Sequence, residues 1–180
     1  MQLTGERIYI RFYQDGDAQA MYDLFLRNKE FFQKYSPTRG EDFYTLESKR
    51  KAIKDGEGQR ERDERYSFGI FLKDTGEMIG NVGLSEIQRG SCQCGMIGYS
   101  LDQGYNGRGY TTEAVKLAVG FAFDQLKLHR VEAGVMPHNM ASIRVLEKAG
   151  FQREGIARKS VEINGKWEDH LILAILSEDI

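Results

Sequence analysis

The sequence predicts an α+β fold, a mixed sheet with helices on its faces, and three observations carry that reading. Strand-like and helix-like stretches alternate in the order β-α-α-β-β-β-α-β-α-β-β. Two strand pairs are joined by turn sequences, Asp74-Thr75-Gly76 and Asn164-Gly165, and Asn-Gly is the strongest short hairpin signal. The element order is not that of a doubly wound fold, and the glycine-rich loop at 104–109 lacks the third glycine of a dinucleotide fingerprint, because Thr112 stands there.

Each element has its own local reason. Residues 6–12 alternate Ile8, Ile10 and Phe12 with Arg7, Tyr9 and Arg11, the pattern of a strand with one buried face. Asp17 is placed to cap a helix bearing Ala20, Met21, Leu24 and Phe25. Residues 41–63 read as a second helix whose later half mixes Lys49, Arg50, Lys51, Lys54, Arg60 and Arg62 with a similar number of acids, the pattern of a solvated face. Tyr66, Phe68, Ile70 and Leu72 alternate up to the 74–76 turn, and Met78, Gly80, Val82 and Leu84 alternate back. Residues 93–101 predict a further strand, 111–126 a helix, and 130–135 a strand. A short helix over 139–149 is ended by Gly150. Segments 156–163 and 167–176 then pair across Asn164-Gly165.

Composition narrows the function. The chain has 180 residues, 25 Lys+Arg and 27 Asp+Glu, for a net charge of −2, so the basic footprint of a dedicated nucleic-acid binder is missing. One domain over 1–180 is expected at this length. The longest apolar run, Leu171–Leu176, is too short to span a bilayer, and MQLTGERIYI does not read as a signal segment. Cys92 and Cys94 alone make no disulfide framework, so the expected location is the cytoplasm. Gly is abundant at 20 and Pro scarce at 2, so glycine does the turning. His129, His138 and His170 lack metal-ligand spacing, and no metal is expected.

Two motifs carry chemistry. Gly104-Tyr105-Asn106-Gly107-Arg108-Gly109-Tyr110-Thr111-Thr112 joins a strand to a helix. Glycines there bring backbone N–H groups close to a ligand, and the helix N-terminus adds unpaired donors and a positive dipole end, which together suit an anion. No Gly-Lys-Ser/Thr follows, so this is not a nucleoside-triphosphate loop. Ala114, Ala118 and Ala122 let that helix lie close to the sheet. The second motif is Asn139-Met140-Ala141-Ser142, leading to Lys148-Ala149-Gly150-Phe151.

These motifs in this order, with Ile97-Gly98-Tyr99, Glu113-Ala114 and the Asn164-Gly165-x-Trp167-x-Asp169 hairpin, resemble the GNAT superfamily of acetyl-CoA-dependent N-acetyltransferases, in the RimJ/RimL branch that acetylates N-terminal α-amines of ribosomal proteins. The resemblance spans nearly the whole chain. It implies a mainly antiparallel central sheet flanked by helices, in which two neighbouring strands splay and hold the pantetheine arm of acetyl-CoA. The arm would pair with Tyr99, Ser100 and Leu101. The pyrophosphate would lie on Gly107, Arg108, Gly109, Tyr110, Thr111 and Thr112. This chain has Asn106 and Thr111 where the family pattern has Gln/Arg and Gly/Ala, and neither change removes the backbone donors. Asn139 would hold the arm, and Ser142 would stand near its sulfur.

The resemblance implies direct acetyl transfer to an amine, with a ribosomal-protein N-terminus as the implied acceptor, a small-molecule amine as the alternative, and a homodimer as a compatible assembly. A catalytically silent acyl-CoA-binding module is the rival outside the enzyme class. The carboxylate common in relatives is Gly134 here, a second common position is Met96, and the tyrosine acid is Leu146. Ser142 then stands as proton donor, or else as a helix-start hydroxyl on local backbone. Glu132, two residues from Gly134, is the candidate base, or else an ion-paired carboxylate beside Arg130; Glu86 and Glu162 are weaker candidates. Phe31, Phe32, Tyr35, Phe43 and Tyr44 either pack or line the acceptor mouth.

Overall fold

A computed structural model describes residues 1–180. Eight strands form one sheet: β1 (Gln2–Thr4), β2 (Ile8–Phe12), β3 (Tyr66–Leu72), β4 (Met78–Gln88), β5 (Cys94–Leu101), β6 (Arg130–Val135), β7 (Gln152–Ile163) and β8 (Lys166–Leu176). Five α-helices accompany them: α1 (Ala18–Arg27), α2 (Lys29–Gln33), α3 (Leu46–Glu61), α4 (Tyr110–Asp124) and α5 (Met140–Lys148). The spatial order is β1-β2-β3-β4-β5-β6-β8-β7, antiparallel everywhere except between β5 and β6.

That single parallel pair makes the site. β5 and β6 pair only at Cys94–Arg130, Gly95–Val131 and Met96–Glu132. Beyond Met96 and Glu132 the strands part. Ala133, Gly134 and Val135 then pair with β8 alone, and Ile97–Leu101 pair with β4 alone. The facing edges of both strands are left with backbone groups that a ligand can satisfy.

One face of the sheet packs on α4 and α5. Ile8, Ile10, Phe68, Ile70, Leu84 and Val131 are buried there. Ala114, Ala118 and Ala122, all fully buried, let α4 sit against the strands. The opposite face carries α1 and α3, with Leu24 of α1 packed on Phe71 and Met78.

Several local expectations are corrected. β1 is an extra edge strand, and β4 and β7 run longer than the alternation shows. Asp17 does not cap α1 with its side chain. Its carboxylate accepts both Arg11 guanidinium nitrogens, at 2.6 and 2.8 Å, and the Gln14 N–H. The 41–63 segment splits at Thr45, whose hydroxyl accepts the Ser48 N–H and caps α3. The reading of a solvated charged face fails at Lys49, which is 1% exposed. The Asn164-Gly165 turn is as expected, both residues having left-handed φ, at 52° and 78°.

Candidate active site

The 107–112 loop presents backbone donors of the kind that suit an anion. Gly107 and Gly109 have φ of 78° and 82°, values that L side chains rarely adopt. The first ladder bond of α4 runs from Glu113 N–H to Gly109 O, so the N–H groups of Tyr110, Thr111 and Thr112 precede the ladder and are free for a ligand. Gly109, not a threonine, is the helix N-cap. Arg7 and Glu113 hold the loop to the start of β2. The Glu113 carboxylate accepts the Arg7 N–H at 2.8 Å and its Nε at 3.2 Å, and the Arg7 guanidinium donates to Arg108 O at 2.6 Å. Together with the free edges of β5 and β6, these donors fit the pyrophosphate and arm of coenzyme A.

Ser142 stands beside this gap. Asn139 is the N-cap of α5, its Oδ1 accepting the Ser142 N–H at 3.3 Å, which leaves its amide NH₂ for a ligand. The Ser142 hydroxyl does not bond local backbone. Its Oγ lies 2.8 Å from the Tyr99 hydroxyl, which also donates to Ser142 O at 3.2 Å. Burial, only partly offset by the bond to Ser142, pushes the Tyr99 phenol up to about 12, so it stays protonated. Two neutral hydroxyls therefore bridge β5 and α5 on the α4 side of the sheet.

Glu132 is placed differently from these. It is the last residue of β6 paired with β5, at the vertex of the gap, and accepts from Arg130 Nε at 2.7 Å. The same guanidinium grips Glu154 on β7 with its other two nitrogens. The carboxylate is thus engaged in an ion-pair network joining β6 to β7. Gly134 carries no side chain, and a Cβ there would lie 3.7 Å from the His170 ring.

On the opposite face of β5 lies a cavity of about 410 Å³. Its floor is made of small residues on β3, β4 and β5: Ser67, Gly83, Ser85, Gly98 and Ser100, with Asn81 among them. Gly83 has no room for a side chain, since a Cβ would meet Tyr66 O at 2.9 Å. Gly98 faces open space. The roof is Met21, Phe25, Phe32, Phe43 and Tyr44, so part of the aromatic cluster does line a cavity; Phe31 packs on Phe32, and Tyr35 lies beside His138.

The cavity is also charged. Arg39, Lys49 and Arg65 line it, and no Asp or Glu does. The Lys49 ammonium sits 3.2 Å from the Phe43 ring centre and 4.7 Å from that of Phe25. Burial first, then the Arg39 charge, pushes it down to about 8. Sequence reasoning missed this residue, although a signal exists. Leu46, Lys49 and Ile53 are spaced as one helical stripe, so a lysine occupies a core position. Elsewhere, Cys92 and Cys94 are free thiols, and no group of three or more His, Cys, Asp or Glu is arranged to hold a metal ion.

The model of the acetyltransferase (GNAT) domain family matches residues 7–152. The chain belongs to the GNAT acetyltransferase family. It is 52% identical to "Probable N-acetyltransferase YjcK" of Bacillus subtilis over 98% of both chains. It is 30% identical to the [ribosomal protein uS5]-alanine N-acetyltransferase of Escherichia coli, over 99% of this chain and 92% of that one. The solved structure of Mycobacterium smegmatis RimJ in complex with CoA-disulfide superposes with a TM-score of 0.94 at 26% identity, covering 100% of this chain and 89% of that one. This acetyltransferase therefore uses acetyl-CoA, and the silent-module alternative is set aside. No helix is long and apolar enough to cross a membrane.

Proposed function

We propose that this acetyltransferase acetylates the N-terminal α-amine of a protein, of the ribosomal type named in its relatives. The observation that supports this is the cation-lined, acid-free cavity on the α1–α3 side of β5, read here as the acceptor site. An amine attacks only when uncharged. An α-amine has a pKa near 7.7–8.0 and lysine near 10.4, so at neutral pH an α-amine needs about one unit of help and lysine more than three. The cavity offers no carboxylate as base, and its positive charges disfavour an ammonium, which shifts an α-amine further toward the free form. A polyamine, carrying several ammonium groups, is poorly matched to such walls.

In this reading the work is divided between the two faces of the sheet. Acetyl-CoA supplies the thioester acetyl group, with Gly107–Thr112 and the Tyr99–Leu101 backbone holding it and Asn139 orienting the arm. The cavity delivers the amine from the α1–α3 side. As the N–C bond forms and the C–S bond breaks, Ser142, on the other side, gives its proton to the departing thiolate while the Tyr99 hydroxyl stabilises the Ser142 oxygen; the proton lost by the amine passes to solvent, and Ser142 is reprotonated from solvent. Glu132 is assigned an architectural role, because Arg130, itself anchored on Glu154, already holds it.

The test is acetylation of peptides that carry both a free N-terminus and an internal lysine, with the modified position read by mass spectrometry. Acetyl groups on the α-amine are expected. Acetylation confined to lysine, or turnover of spermidine above that of every peptide, would replace this reading.

A further inference from the structure

The acceptor cavity holds more unsatisfied chemistry than an amine needs. Its three cations are without ion-pair partners. Three carboxylates of the surrounding segments are engaged elsewhere, in the pairs Lys29–Glu41, Lys51–Asp55 and Arg62–Glu64. A buried ammonium without a counter-charge is unfavourable, and the faces of Phe25, Phe43 and Tyr44 compensate only partly. A second observation is independent of charge. The side-chain polar atoms that are buried without any hydrogen-bond partner are the Tyr13 hydroxyl and Asn81 Nδ2, and both residues line this same cavity. Asn81 pairs across the sheet with Ser100 on β5, the strand that borders the gap. Unsatisfied buried donors of this kind call for a hydrogen-bond acceptor, which an ordered water or a ligand oxygen can supply. The adjoining cavity, of about 300 Å³, shares Tyr13, Arg65 and Ser67 with this one and carries Asp55 and Glu57 on its far wall, so the acid-free lining belongs to the part walled by Arg39, Lys49 and Asn81.

We infer that the cavity selects an acceptor in which a carboxylate accompanies the reacting amine: an acidic side chain one or two residues after a peptide α-amine. Lys49, Arg39 and Arg65 would meet the charge, and Tyr13 and Asn81 would donate to its oxygens. The cations and the gap-lining Gly98 and Ser100 share one cavity of about 410 Å³. Amine and carboxylate must therefore belong to the first few residues of a chain or to one small molecule. The inference rests on the peptide α-amine reading, and a free acidic amino acid presents the same chemistry from another source.

The experiment compares kcat/KM for two peptides that differ only in Asp or Asn after an N-terminal Ala, beside free aspartate and spermidine, measured by thiol release. The Asp peptide is expected to exceed the Asn peptide by about tenfold or more, the factor of one charge-assisted contact. The Arg39→Gln/Arg65→Gln double variant, changed at two exposed positions, is expected to bring that ratio close to one, and Lys49→Met to lower it as well. Equal kcat/KM for the two peptides in the wild type overturns the inference while leaving the α-amine reading intact. A ratio unchanged in both variants overturns it too. Free aspartate ahead of both peptides upholds the carboxylate and displaces the peptide. Spermidine ahead of both overturns the carboxylate and the peptide together.

Discussion

Ser142 and Tyr99 show how much a single side-chain contact decides. A serine three residues into an Asn-x-x-Ser start is equally at home bonding backbone, and only the 2.8 Å contact with the Tyr99 hydroxyl aims it across the gap. Ser142→Ala is expected to lower kcat by about 100-fold, a modest share of general-acid catalysis, while the KM for acetyl-CoA changes little. Tyr99→Phe is expected to have a smaller effect, and the double variant to fall short of the product of the two, because the hydroxyls act as a pair. Steady-state kinetics on the three variants checks this. Additive losses would separate the two residues. Lys49 makes the converse point. Its pKa of about 8 lies below the unfolded value of about 10.4, so the unfolded chain binds more protons between those pH values, and stability contributed at this site rises as pH climbs through them. At neutral pH the burial of its charge is a net cost. Lys49→Met is expected to raise Tm at pH 7 by roughly 2–4 °C, and the gain should shrink toward pH 10. Calorimetric scans at the two pH values measure it, and a loss of Tm at pH 7 would show that the aromatic contacts outweigh the desolvation.

At the scale of elements, loop and strand termini do the positioning. The 107–112 loop works because two glycines take left-handed φ and because Arg7 and Glu113 tie it to β2. Gly109→Val would force a β-branched side chain into that conformation, its Cβ 3.1 Å from the Arg7 guanidinium. Acetyl-CoA affinity measured by calorimetry is expected to fall about 100-fold with the circular dichroism spectrum retained; undiminished affinity would mean that the loop merely turns. The Arg11–Asp17 pair fixes the entry of α1 in a similar way. Burial tends to raise the Asp17 carboxyl, but the Arg11 hydrogen bonds, the Gln14 N–H and the Arg11 charge outweigh it and hold the group below the usual carboxylate range. Stability from this group is therefore present above an unfolded pKa of about 3.9 and is lost as pH falls through the lower folded value. Arg11→Met is expected to cost roughly 3 kcal/mol at pH 7, as expected when one partner of a mostly buried pair is removed. Denaturant titrations should show that cost shrinking below about pH 4; a pH-independent cost would assign it to packing.

For the whole molecule, the division of labour proposed between the two sheet faces is the organising feature. Gly98 looks into the acceptor cavity, while Tyr99, its neighbour, reaches Ser142 on the other side. Gly98→Val is therefore expected to raise the KM for the amine acceptor about tenfold and to leave acetyl-CoA binding intact, since its Cβ enters open space on the acceptor face alone. Equal damage to both substrates would mean that the faces are not separable. Glu132 belongs to the same architecture. It accepts from Arg130, whose other nitrogens join β6 to β7 through Glu154, so the pH–rate profile of kcat/KM for Glu132→Gln should coincide with that of the wild type. Loss of an acid limb in the variant would restore Glu132 as the base.

By itself the sequence determined the order of the elements apart from the short β1 and α2, the glycine loop before α4, the Asn-Gly hairpin and the family resemblance. These features are written in short-range patterns: alternation, turn residues and motifs a few positions long. Its limits lie where contacts span the chain. Tyr99 and Ser142 are 43 residues apart, and Arg130 and Glu154 are 24 apart. Lys49 reads as one charge among many because α3 is amphipathic only weakly, and what buries it are aromatic side chains on α1 and on the short turn at 41–44. The splay of β5 from β6 is likewise invisible locally, since each strand is regular in itself. Only the packed sheet, in which β6 keeps β8 along its whole length but leaves β5 beyond Glu132, decides where a ligand can enter.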